Sequence, residues 1–311
     1  MNVLVTGGAG FGGSGLVKEL LRKGERVTVV DATGALMAER LYDVLEMENL
    51  CYSWKAIHDI KADDIAGHDV VIHFQAQADV PMGFESPMWT TYQNVMGTVA
   101  LLEACRLSSP QKVIYAGSGN ELGRPHYLPI DEEHPLTPHN PYSFSKAAAE
   151  LACWSWQRCY ALPVMVVSNG VVVGPGMRRE IFIFKWLWAI AHDRELVIQG
   201  GDQTRDVTFV DDVVDAWLRC VYAPPEDVVG EKFQVSYGEE HTLVEIAEMC
   251  FEVTGKRAKI AHVPHRPGET GQRECFTNEK ARRVLGYCPQ VPPRDAIRLT
   301  WDWMKGLLDR Q

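Results

Sequence analysis

The clearest indication of the fold is the stretch Asn2–Ser14, Asn-Val-Leu-Val-Thr-Gly-Gly-Ala-Gly-Phe-Gly-Gly-Ser. Its apolar first half, residues 2–6, is typical of a buried parallel strand, and glycines spaced G-x-x-G-x-x-G follow it directly. A helix is predicted over residues 14–23, where Gly24 ends it, and a second β-branched strand over 26–30. Strand, glycine turn, helix and strand in this order predict a βαβ unit.

The alternation of apolar strands and helical segments continues beyond this unit. Further strands are predicted over residues 69–74, 112–116 and 163–168, and helices over 87–107 and 142–160. Strands that are apolar throughout are buried on both faces, which is typical of a doubly wound parallel sheet. We therefore predict an α/β fold, with a Rossmann domain over residues 1–175.

The pattern changes after Gly174-Pro-Gly176, where the strands become shorter. Strands are predicted over 196–198, 207–210 and 233–235, and helices over 181–192, 211–220, 242–254, 278–286 and 294–308. Thr242 and Glu245 form a capping box at the start of one of these helices. The segment predicts a smaller α/β C-terminal lobe over 176–311 that binds the substrate, and parts of 200–235 can return to the first domain.

The composition indicates a soluble enzyme and argues against several other classes of protein. A net charge of −10 and a pI near 5.5 disfavour nucleic acid or an anionic membrane as the main partner. The apolar runs are far shorter than the roughly 18 residues of a membrane-spanning helix, and no signal peptide is evident, so we expect a cytoplasmic protein. The eight cysteines include no Cys-x-x-Cys and the histidines lack ligand spacing, so neither disulfides nor a metal site is predicted.

The glycine turn predicts a dinucleotide site. Gly7, Gly10 and Gly13 allow the backbone to approach a pyrophosphate, and the helix that begins there contributes N–H groups and the positive end of its dipole. Asp31 ends the second strand, where an acid accepts hydrogen bonds from ribose hydroxyls and repels a 2′-phosphate. No arginine follows it immediately, so the sequence favours NAD over NADP as the cofactor.

Tyr142 and Lys146 provide the chemistry that a nicotinamide site needs. They stand four residues apart in Asn-Pro-Tyr-Ser-Phe-Ser-Lys, so on a helix they share one face. An ammonium group beside a phenol lowers the pKa of the phenol, because an opposite charge favours the ionised form. We therefore predict that Tyr142, tuned by Lys146, is a general base beside an oxidising nicotinamide.

A longer series of motifs joins these two along the chain. They are Thr6-Gly-Gly-Ala-Gly-Phe11, Asp31, His58-Asp-Ile60, Asp69-Val-Val-Ile-His-Phe-Gln-Ala76, Asn94-Val-Met-Gly-Thr98, Tyr142-x-x-x-Lys146, Gly174-Pro-Gly176, Gln203-Thr-Arg-Asp206 and Arg266-Pro-Gly-Glu269. In this order they resemble the extended short-chain dehydrogenases/reductases, in the branch of NAD-dependent nucleotide-sugar epimerases and dehydratases that contains UDP-galactose and UDP-glucuronate 4-epimerases. The resemblance covers essentially the whole chain and implies NAD as the cofactor.

The resemblance also implies roles along the cofactor. Phe11 and Gly12 complete the glycine turn, and Lys146 binds the nicotinamide ribose in addition to tuning Tyr142. The remaining cofactor residues are Asp59 and Ile60 at the adenine end, Phe74, Gln75 and Ala76 along the fourth strand, and Asn94 as a support from the helix beneath.

The residues that meet the substrate follow from the same resemblance. Ser118 occupies the place of a catalytic serine or threonine, whose hydroxyl binds the reacting hydroxyl of the substrate. Arg205 and Arg266 occupy positions of arginines that bind the substrate diphosphate, a role suited to a planar, always charged guanidinium, and Arg273 is a further candidate. Asn169 is the candidate for an asparagine that contacts the substrate phosphate.

Four positions depart from the family. Gly12 and Gly15 stand where it usually has isoleucine and histidine, Leu122 replaces a tyrosine, and Val171 replaces the usual asparagine. Extra glycine loosens a helix start by about 0.5–1 kcal/mol per residue relative to alanine. The resemblance to the family holds despite these four departures, but they prevent an inference of which sugar is bound.

A 4-epimerase is the favoured reaction. In the family, C4 of the sugar is oxidised while Tyr142 takes the hydroxyl proton, and an epimerase then returns hydride to the other face of the 4-keto sugar. A 4,6-dehydratase or a decarboxylase needs an acid shortly after the catalytic hydroxyl, where this chain has Gly119 and Asn120. A shift of the loop by one residue would bring Glu121 into that role.

Other readings of the same motifs stay open. A reductase or an enzyme that acts on a non-sugar alcohol is a less favoured alternative on the same fold. A non-catalytic dinucleotide sensor is disfavoured further, because the three catalytic residues are intact. The residues expected to leave room for a turning 4-keto sugar are Gly83, Gly117 and Gly119.

The resemblance predicts the partners as well. The substrate is a nucleotide-diphosphate sugar, with UDP as the expected carrier. Similar proteins form homodimers through two helices per subunit, here 87–107 and 142–160. Those helices carry large aromatic side chains at Trp89, Tyr92, Trp154 and Trp156.

Overall fold

A parallel sheet forms the centre of the computed structural model, which describes residues 1–309. Along the chain the strands are β1 (Asn2–Thr6), β2 (Arg26–Asp31), β3 (Leu50–Trp54), β4 (Val70–His73), β5 (Lys112–Ala116), β6 (Val164–Asn169), β7 (Val171–Val173), β8 (Leu196–Gln199), β9 (Thr204–Phe209), β10 (Lys232–Val235), β11 (Glu240–Thr242) and β12 (Ile260–Val263). Seven of them form the central sheet in the order β10-β6-β5-β4-β1-β2-β3, all parallel. The predicted doubly wound α/β fold is confirmed.

Helices cover both faces of this sheet. They are α1 (Phe11–Arg22), α2 (Ala62–Ile65), α3 (Val80–Glu85), α4 (Pro87–Thr91), α5 (Gly97–Ser108), α6 (Pro141–Tyr160), α7 (Phe182–Ala191), α8 (Val210–Tyr222), α9 (Pro225–Val228), α10 (Leu243–Thr254), α11 (Glu279–Leu285) and α12 (Pro293–Leu308). Side chains of a strand alternate between faces, so Val3 and Val5 pack in the core with α1 and α8, whereas Leu4 packs with α5 and α6. Burial on both faces explains the continuous apolar runs of the central strands.

The strand order reverses beside β1, and this reversal locates the site. The chain passes from β1 to β2 and β3 on one side, and then returns to β4 on the other. Thr6 at the end of β1 is therefore flanked by Val30 and His73 of the two neighbouring strands. In such sheets ligands bind outside the carboxyl ends of the strands at this switch point.

Several short elements were not predicted, namely β7, β11, β12, α2, α3 and α9, and two further differences have a clear description. Strand β3 was not predicted, because it is the edge strand and its residues Leu-Cys-Tyr-Ser-Trp are half-exposed rather than apolar throughout. The helix expected over 87–107 is interrupted by a π-helical turn at Tyr92–Met96 between α4 and α5. Such turns are frequent at functional sites, and here the turn contains the buried Asn94.

The C-terminal part of the chain builds two small sheets and also contributes to the large one. Strands β11, β9 and β7 form one small sheet, and β12 pairs with β8 in the other. Strand β10 instead pairs with β6, so residues 232–235 form the edge of the central sheet. The parallel pairing of β7 with β9 brings the strand containing Arg205 beside the segment that follows Asn169. The division at residue 175 remains a prediction.

The sequence predicts no disulfide, no metal site and no membrane-spanning helix, and the described residues 1–309 bear on each of these. All eight cysteines are free, and no group of three or more His, Cys, Asp or Glu side chains in this range is arranged to hold a metal ion. Within the same range, no helix has both the length and the apolar character needed to cross a membrane.

Candidate active site

The glycine turn after β1 packs against the segment that follows β4, the strand beside β1 in the sheet. Gly7 has φ +70°, and a Cβ there would lie 2.5 Å from the backbone nitrogen of Gln75. A Cβ at Gly13 would lie 2.5 Å from the carbonyl oxygen of Gly7, which also accepts a hydrogen bond of 3.0 Å from the Gly10 N–H. No side chain fits at either position, so the start of α1 presents bare backbone, as a pyrophosphate site requires.

Asp31 is held beside this turn by backbone hydrogen bonds. One carboxylate oxygen accepts a hydrogen bond from the Ala9 N–H at 3.0 Å, and the other accepts one from the Thr33 N–H at 2.9 Å. These contacts fix the carboxylate at the carboxyl end of β2, where ribose hydroxyls can donate to its remaining lone pairs. The turn and Asp31 together fit a dinucleotide without a 2′-phosphate.

The segment after β4 forms another wall of the cavity, and Asn94 supports it. The Asn94 side-chain oxygen accepts from the Gln77 N–H at 2.7 Å, and its amide donates to the Gln77 carbonyl at 2.9 Å. The same amide donates to Ser145 Oγ at 2.8 Å, which ties the segment to α6. Two predicted adenine-end residues lie elsewhere: Asp59 is solvent-exposed, Ile60 is buried in the core, and neither lines the cavity.

Ser118 and Tyr142 both line the cavity. Tyr142 is in the first turn of α6, which begins with a capping box between Asn140 and Ser143. Burial raises the pKa of the Tyr142 phenol, whereas a hydrogen bond with Ser118 and the positive charge of Arg178 lower it. The two hydroxyls are therefore arranged to share a proton at one point of the cavity wall.

Lys146 is placed behind these hydroxyls rather than in the cavity wall. Its Nζ donates a hydrogen bond of 2.6 Å to the Ala116 carbonyl and lies 4.3 Å from the centroid of the Tyr115 ring. Burial lowers the pKa of Lys146, and the negative charge of Glu121 raises it. The sequence predicts that Lys146 lowers the pKa of Tyr142. In the structure the Lys146 ammonium group instead donates to the Ala116 carbonyl, and the cation that lowers the pKa of Tyr142 is Arg178.

One cavity of about 970 Å³ connects the glycine turn with these hydroxyls and with the C-terminal part of the chain. The predicted site residues that line it are Gly7, Gly10, Phe11, Gly12, Gly13, Asp31, Phe74, Gln75, Ala76, Ser118, Tyr142, Asn169, Arg205 and Arg266. Its volume is in the range of sites that enclose cofactors and substrates. Residues far apart in the chain therefore share one space.

The three predicted arginines have different surroundings. Arg205 lines the cavity, and its Nε lies 3.4 Å from a carboxylate oxygen of the buried Glu274. Arg266 also lines the cavity and pairs with Glu269 at 3.5 Å. Arg273 forms an exposed ion pair with Glu240 and is absent from the cavity wall. The predicted role of Arg273 in binding the substrate is therefore not supported by its position.

Three cations of the cavity wall were not predicted from the sequence. Arg40 lies near the glycine turn and donates from Nε to the Gly176 carbonyl at 2.8 Å. Arg178 donates to the Ala78 carbonyl at 3.0 Å, and Lys185 lines the same wall. Arg40 belongs to no motif, whereas Arg178 follows the Gly-Pro-Gly turn and this proximity was the available signal.

Gly12 and Gly15, which depart from the family pattern, differ in how well the structure explains them. A Cβ at Gly15 would lie 2.9 Å from a methyl group of Val214, so the close approach of α1 and α8 accounts for this residue. A Cβ at Gly12 would make only an ordinary contact with Phe74 at 3.7 Å, and local packing does not explain it.

The three other glycines expected to leave room for the sugar are crowded where a side chain would lie. A side chain at Gly117 or Gly119 would collide with a neighbour, and one at Gly83 would make a tight contact. The nearest atoms to a Cβ are Ser168 Oγ at 2.2 Å for Gly117, Phe276 at 2.5 Å for Gly119, and Tyr142 at 3.1 Å for Gly83. Gly117 and Gly119 permit close packing of the loop after β5, and Gly83 permits close packing of α3 against α6.

Glu121 does not take the position of an acid in the cavity. Its side chain is fully buried behind the Ser118 turn, and the cavity wall contains Asn120 instead. A carboxamide has no proton to give at neutral pH, so this part of the wall provides no general acid.

Comparison with known proteins agrees with this geometry. Residues 3–236 match the NAD dependent epimerase/dehydratase family. The chain is 31% identical to UDP-glucose 4-epimerase of Mycolicibacterium smegmatis, covering 98% of this chain and 99% of that one. It is 30% identical to dTDP-glucose 4,6-dehydratase of Streptomyces niveus, over 98% and 93%. The crystal structure of UDP-glucuronic acid 4-epimerase from Bacillus cereus, in complex with UDP-glucuronic acid and NAD, superposes with a TM-score of 0.93 at 25% identity over 99% and 100%.

Proposed function

Because this chain belongs to the NAD dependent epimerase/dehydratase family, we propose that it is an NAD-dependent nucleotide-sugar 4-epimerase. The sequence predictions of NAD as the cofactor and of an epimerase-type enzyme are confirmed by the family match and by the epimerase relatives. The observation that carries the proposal is the single cavity that joins the glycine turn and Asp31 to Ser118, Tyr142 and the arginines.

The proposed reaction uses this chain's own groups for proton transfer and positioning. NAD, when bound, accepts a hydride from C4 of the sugar and returns it. Ser118 holds the C4 hydroxyl, and Tyr142 takes its proton as the hydride leaves and gives it back when the keto group is reduced. Lys146, fixed by Ala116, supplies a positive charge beneath the site and is the proposed partner of the nicotinamide ribose.

The cations of the cavity support a nucleotide diphosphate as the common part of the substrate. Arg205 and Arg266 line the same wall, and their pairs with Glu274 and Glu269 hold the guanidinium groups in place. UDP is the proposed carrier, since the similar epimerases named above act on UDP-sugars. Asn169 is the proposed contact for a phosphate oxygen.

An epimerase is favoured over a dehydratase or a decarboxylase by the residues after Ser118. Elimination of water needs an acid and a base beside C5 and C6, but the cavity wall offers Asn120 at this point. Glu121 is turned away from the cavity. Dehydratases remain the second candidate, because relatives of both kinds match the whole chain.

A homodimer in the cytoplasm is the proposed setting. An apolar surface on α4, α6 and the π-helical turn exposes large side chains that a second subunit would cover. They are Met88, Trp89, Tyr92, Met96 and Leu151. Trp154 and Trp156 instead pack partly against the core of their own subunit.

Proton NMR of the purified protein with NAD and one UDP-sugar at a time tests the activity. UDP-glucose, UDP-N-acetylglucosamine and UDP-glucuronate are the first substrates, and new anomeric signals of the C4 epimer without net NADH are expected. A 4-keto-6-deoxy or pentose product would replace the proposal with the dehydratase or decarboxylase. Sedimentation velocity tests the homodimer separately, and a monomer at micromolar concentration would contradict it.

A further inference from the structure

A buried cluster of charged groups joins the three elements that surround the catalytic residues. Glu121 belongs to the turn that starts at Ser118, Glu150 to α6, and Lys232 to β10. Their exposed fractions are 0% for Glu121, 2% for Glu150 and 7% for Lys232. Charged side chains are rarely so completely buried unless they are paired, so this cluster requires an explanation.

The hydrogen bonds of the cluster are unevenly distributed. Lys232 Nζ donates to both carboxylate oxygens of Glu150, at 2.9 and 2.8 Å, and Trp154 Nε1 donates to the same carboxylate at 3.1 Å. The Lys232 ammonium is farther from Glu121, at 3.8 Å. Within residues 1–309, no N–H or hydroxyl group donates to either oxygen of Glu121.

Because no donor in the described residues reaches Glu121 and Lys232 lies closer to Glu150, the neutral acid suits Glu121 and the carboxylate suits Glu150. Burial, followed by the negative charge of Glu150, raises the pKa of Glu121 well above its ordinary value. Burial acts in the same direction on Glu150, but the charge and hydrogen bonds of Lys232 outweigh it and hold the pKa of Glu150 low. As a neutral acid, Glu121 has a proton to donate to the Glu150 carboxylate, and this hydrogen bond would satisfy a group that otherwise lacks a hydrogen-bond partner within residues 1–309.

A hydrogen bond from Glu121 to Glu150 would link the turn that contains Ser118 to the helix that contains Tyr142. The Glu121 N–H donates to the Ser118 carbonyl at 3.1 Å, so the two residues belong to one tight turn. Glu150 follows Lys146 by one turn of α6 and lies on the same face of the helix.

We propose that Glu121 is a positioning residue, which as a neutral carboxylic acid donates to Glu150 and so holds Ser118 against Tyr142 and Lys146. Glu121 lies outside the cavity wall and acts through Ser118 rather than on the substrate. The activity arm of the test rests on the proposed epimerase function, and a second arm below is independent of it.

Ionisation of Glu121 has a defined effect on its surroundings. The titratable groups that face the cluster are Tyr115 on β5, Tyr142, Lys146 and Cys153 on α6, and Glu132 and His134 in the loop before α6. An ionised Glu121 repels Glu150 and raises the pKa of Tyr142, which reduces the basic phenolate. Since the pKa of Glu121 is raised, activity should fall as pH rises through it.

Two substitutions separate the hydrogen bond from the charge. In Glu121→Gln the side-chain amide still donates to Glu150 and cannot ionise, so kcat at neutral pH should stay near the wild-type value and persist to higher pH. In Glu121→Leu the donor is lost, so kcat should fall about tenfold at a pH where wild-type Glu121 is neutral, while KM for the UDP-sugar and NAD binding remain unchanged. An unchanged kcat in Glu121→Leu, or an unchanged alkaline limb in Glu121→Gln, overturns the proposal.

Lys112→Met is the matched control for a purely structural effect. Lys112 is buried at the start of β5, and its Nζ donates to the carbonyls of Cys220, Val221 and Ala223, far along the strand from Ser118. This variant should lose thermal stability without a change in the pH profile. If Glu121→Leu also loses only stability, Glu121 is structural and the proposal fails.

A titration of Tyr142 tests the same proposal when no sugar is turned over. Ultraviolet difference absorbance of tyrosinate, measured against Tyr142→Phe with NAD present, reports the pKa of Tyr142 directly. In Glu121→Gln this titration should be complete at lower pH than in the wild type, because an ionised Glu121 no longer opposes it. If Tyr142 titrates at the same pH in the wild type and in Glu121→Gln, the proposal for Glu121 is overturned. If the titration shifts but no UDP-sugar is turned over, only the epimerase assignment is contradicted.

Discussion

The two ends of the cavity are built from different kinds of contact. At the cofactor end, Gly7 packs against the backbone of Gln75, and backbone N–H groups hold Asp31. At the substrate end, Arg205 and Arg266 are held by carboxylates of other side chains. The close approach at Gly7 leaves no room for a side chain, whereas side-chain pairs can be exchanged, so we expect the cofactor end to accept fewer substitutions than the substrate end.

Tyr142 stands where the two ends meet, and its loss should have the largest effect. Removing the hydroxyl in Tyr142→Phe should lower kcat by about 10³-fold, because proton transfer by a positioned acid–base group contributes at this level. NAD should remain bound, as judged by the cofactor retained after gel filtration. Tyr127→Phe, which removes an exposed hydroxyl bonded to Asp131, is the control. Turnover within tenfold of the wild type would exclude Tyr142 as the base.

Because Gly7 contacts the backbone of Gln75, we expect that a side chain at Gly7 impairs NAD binding, whereas a side chain at Gly24 does not. Both glycines have positive φ, +70° and +82°, but only at Gly7 does an added Cβ meet other atoms. Gly7→Ala should weaken NAD binding by about 100-fold, whereas Gly24→Ala should cost only about 1–2 kcal/mol of stability. Titration of each variant with NAD measures the difference, and equal affinities would show that the close approach is not required.

Substitution of the arginines at the substrate end should have a smaller effect, and one that is confined to binding of the UDP-sugar. Arg205→Lys and Arg266→Lys keep the charge for Glu274 and Glu269 but lose the planar fork, so KM for the UDP-sugar should rise about tenfold. NAD affinity should not change. Arg273→Lys, in the exposed pair with Glu240, should leave both quantities at wild-type values. A similar KM in all three variants would remove the arginines from the substrate site.

Behind the substrate end, Asp206 should produce a modest dependence of stability on pH. Burial is the main cause that raises the pKa of Asp206 from 3.8 to about 7. The folded state therefore binds the proton more tightly than the unfolded state, and this stabilisation is lost as pH rises from about 4 to 7. Asp206→Asn cannot ionise, so its melting temperature should fall less over this interval. Parallel melting curves for the two proteins would contradict the raised pKa.

Much of the fold follows from local patterns in the chain. The apolar strands, the glycine turn and the helices appear near their predicted positions because burial on both faces leaves a continuous apolar run. Edge strand β3 was missed because one side of it faces solvent and its sequence is mixed. The π-helical turn at Tyr92–Met96 was also missed, and the hydrogen bond that Asn94 within it accepts from Gln77 joins segments that local spacing does not relate.

The candidate site divides in the same way. Gly7, Asp31 and the pair Tyr142 and Lys146 are recognisable in the chain, because each depends on spacing within one turn, strand end or helix. The exposed position of Arg273 is not recognisable in this way. It depends on how a loop near the C-terminus passes beside β11.

Spacing along the chain is enough to predict the dinucleotide turn, the general base and the α/β class, since these rest on contacts between near neighbours. The partners of buried charges depend on how distant segments come together. Lys232 reaches Glu150 because β10 pairs with β6 at the edge of the central sheet. Glu121 is turned to the same cluster rather than to the substrate, and no spacing in the sequence predicts that direction, because burial and charge pairing are properties of the assembled core.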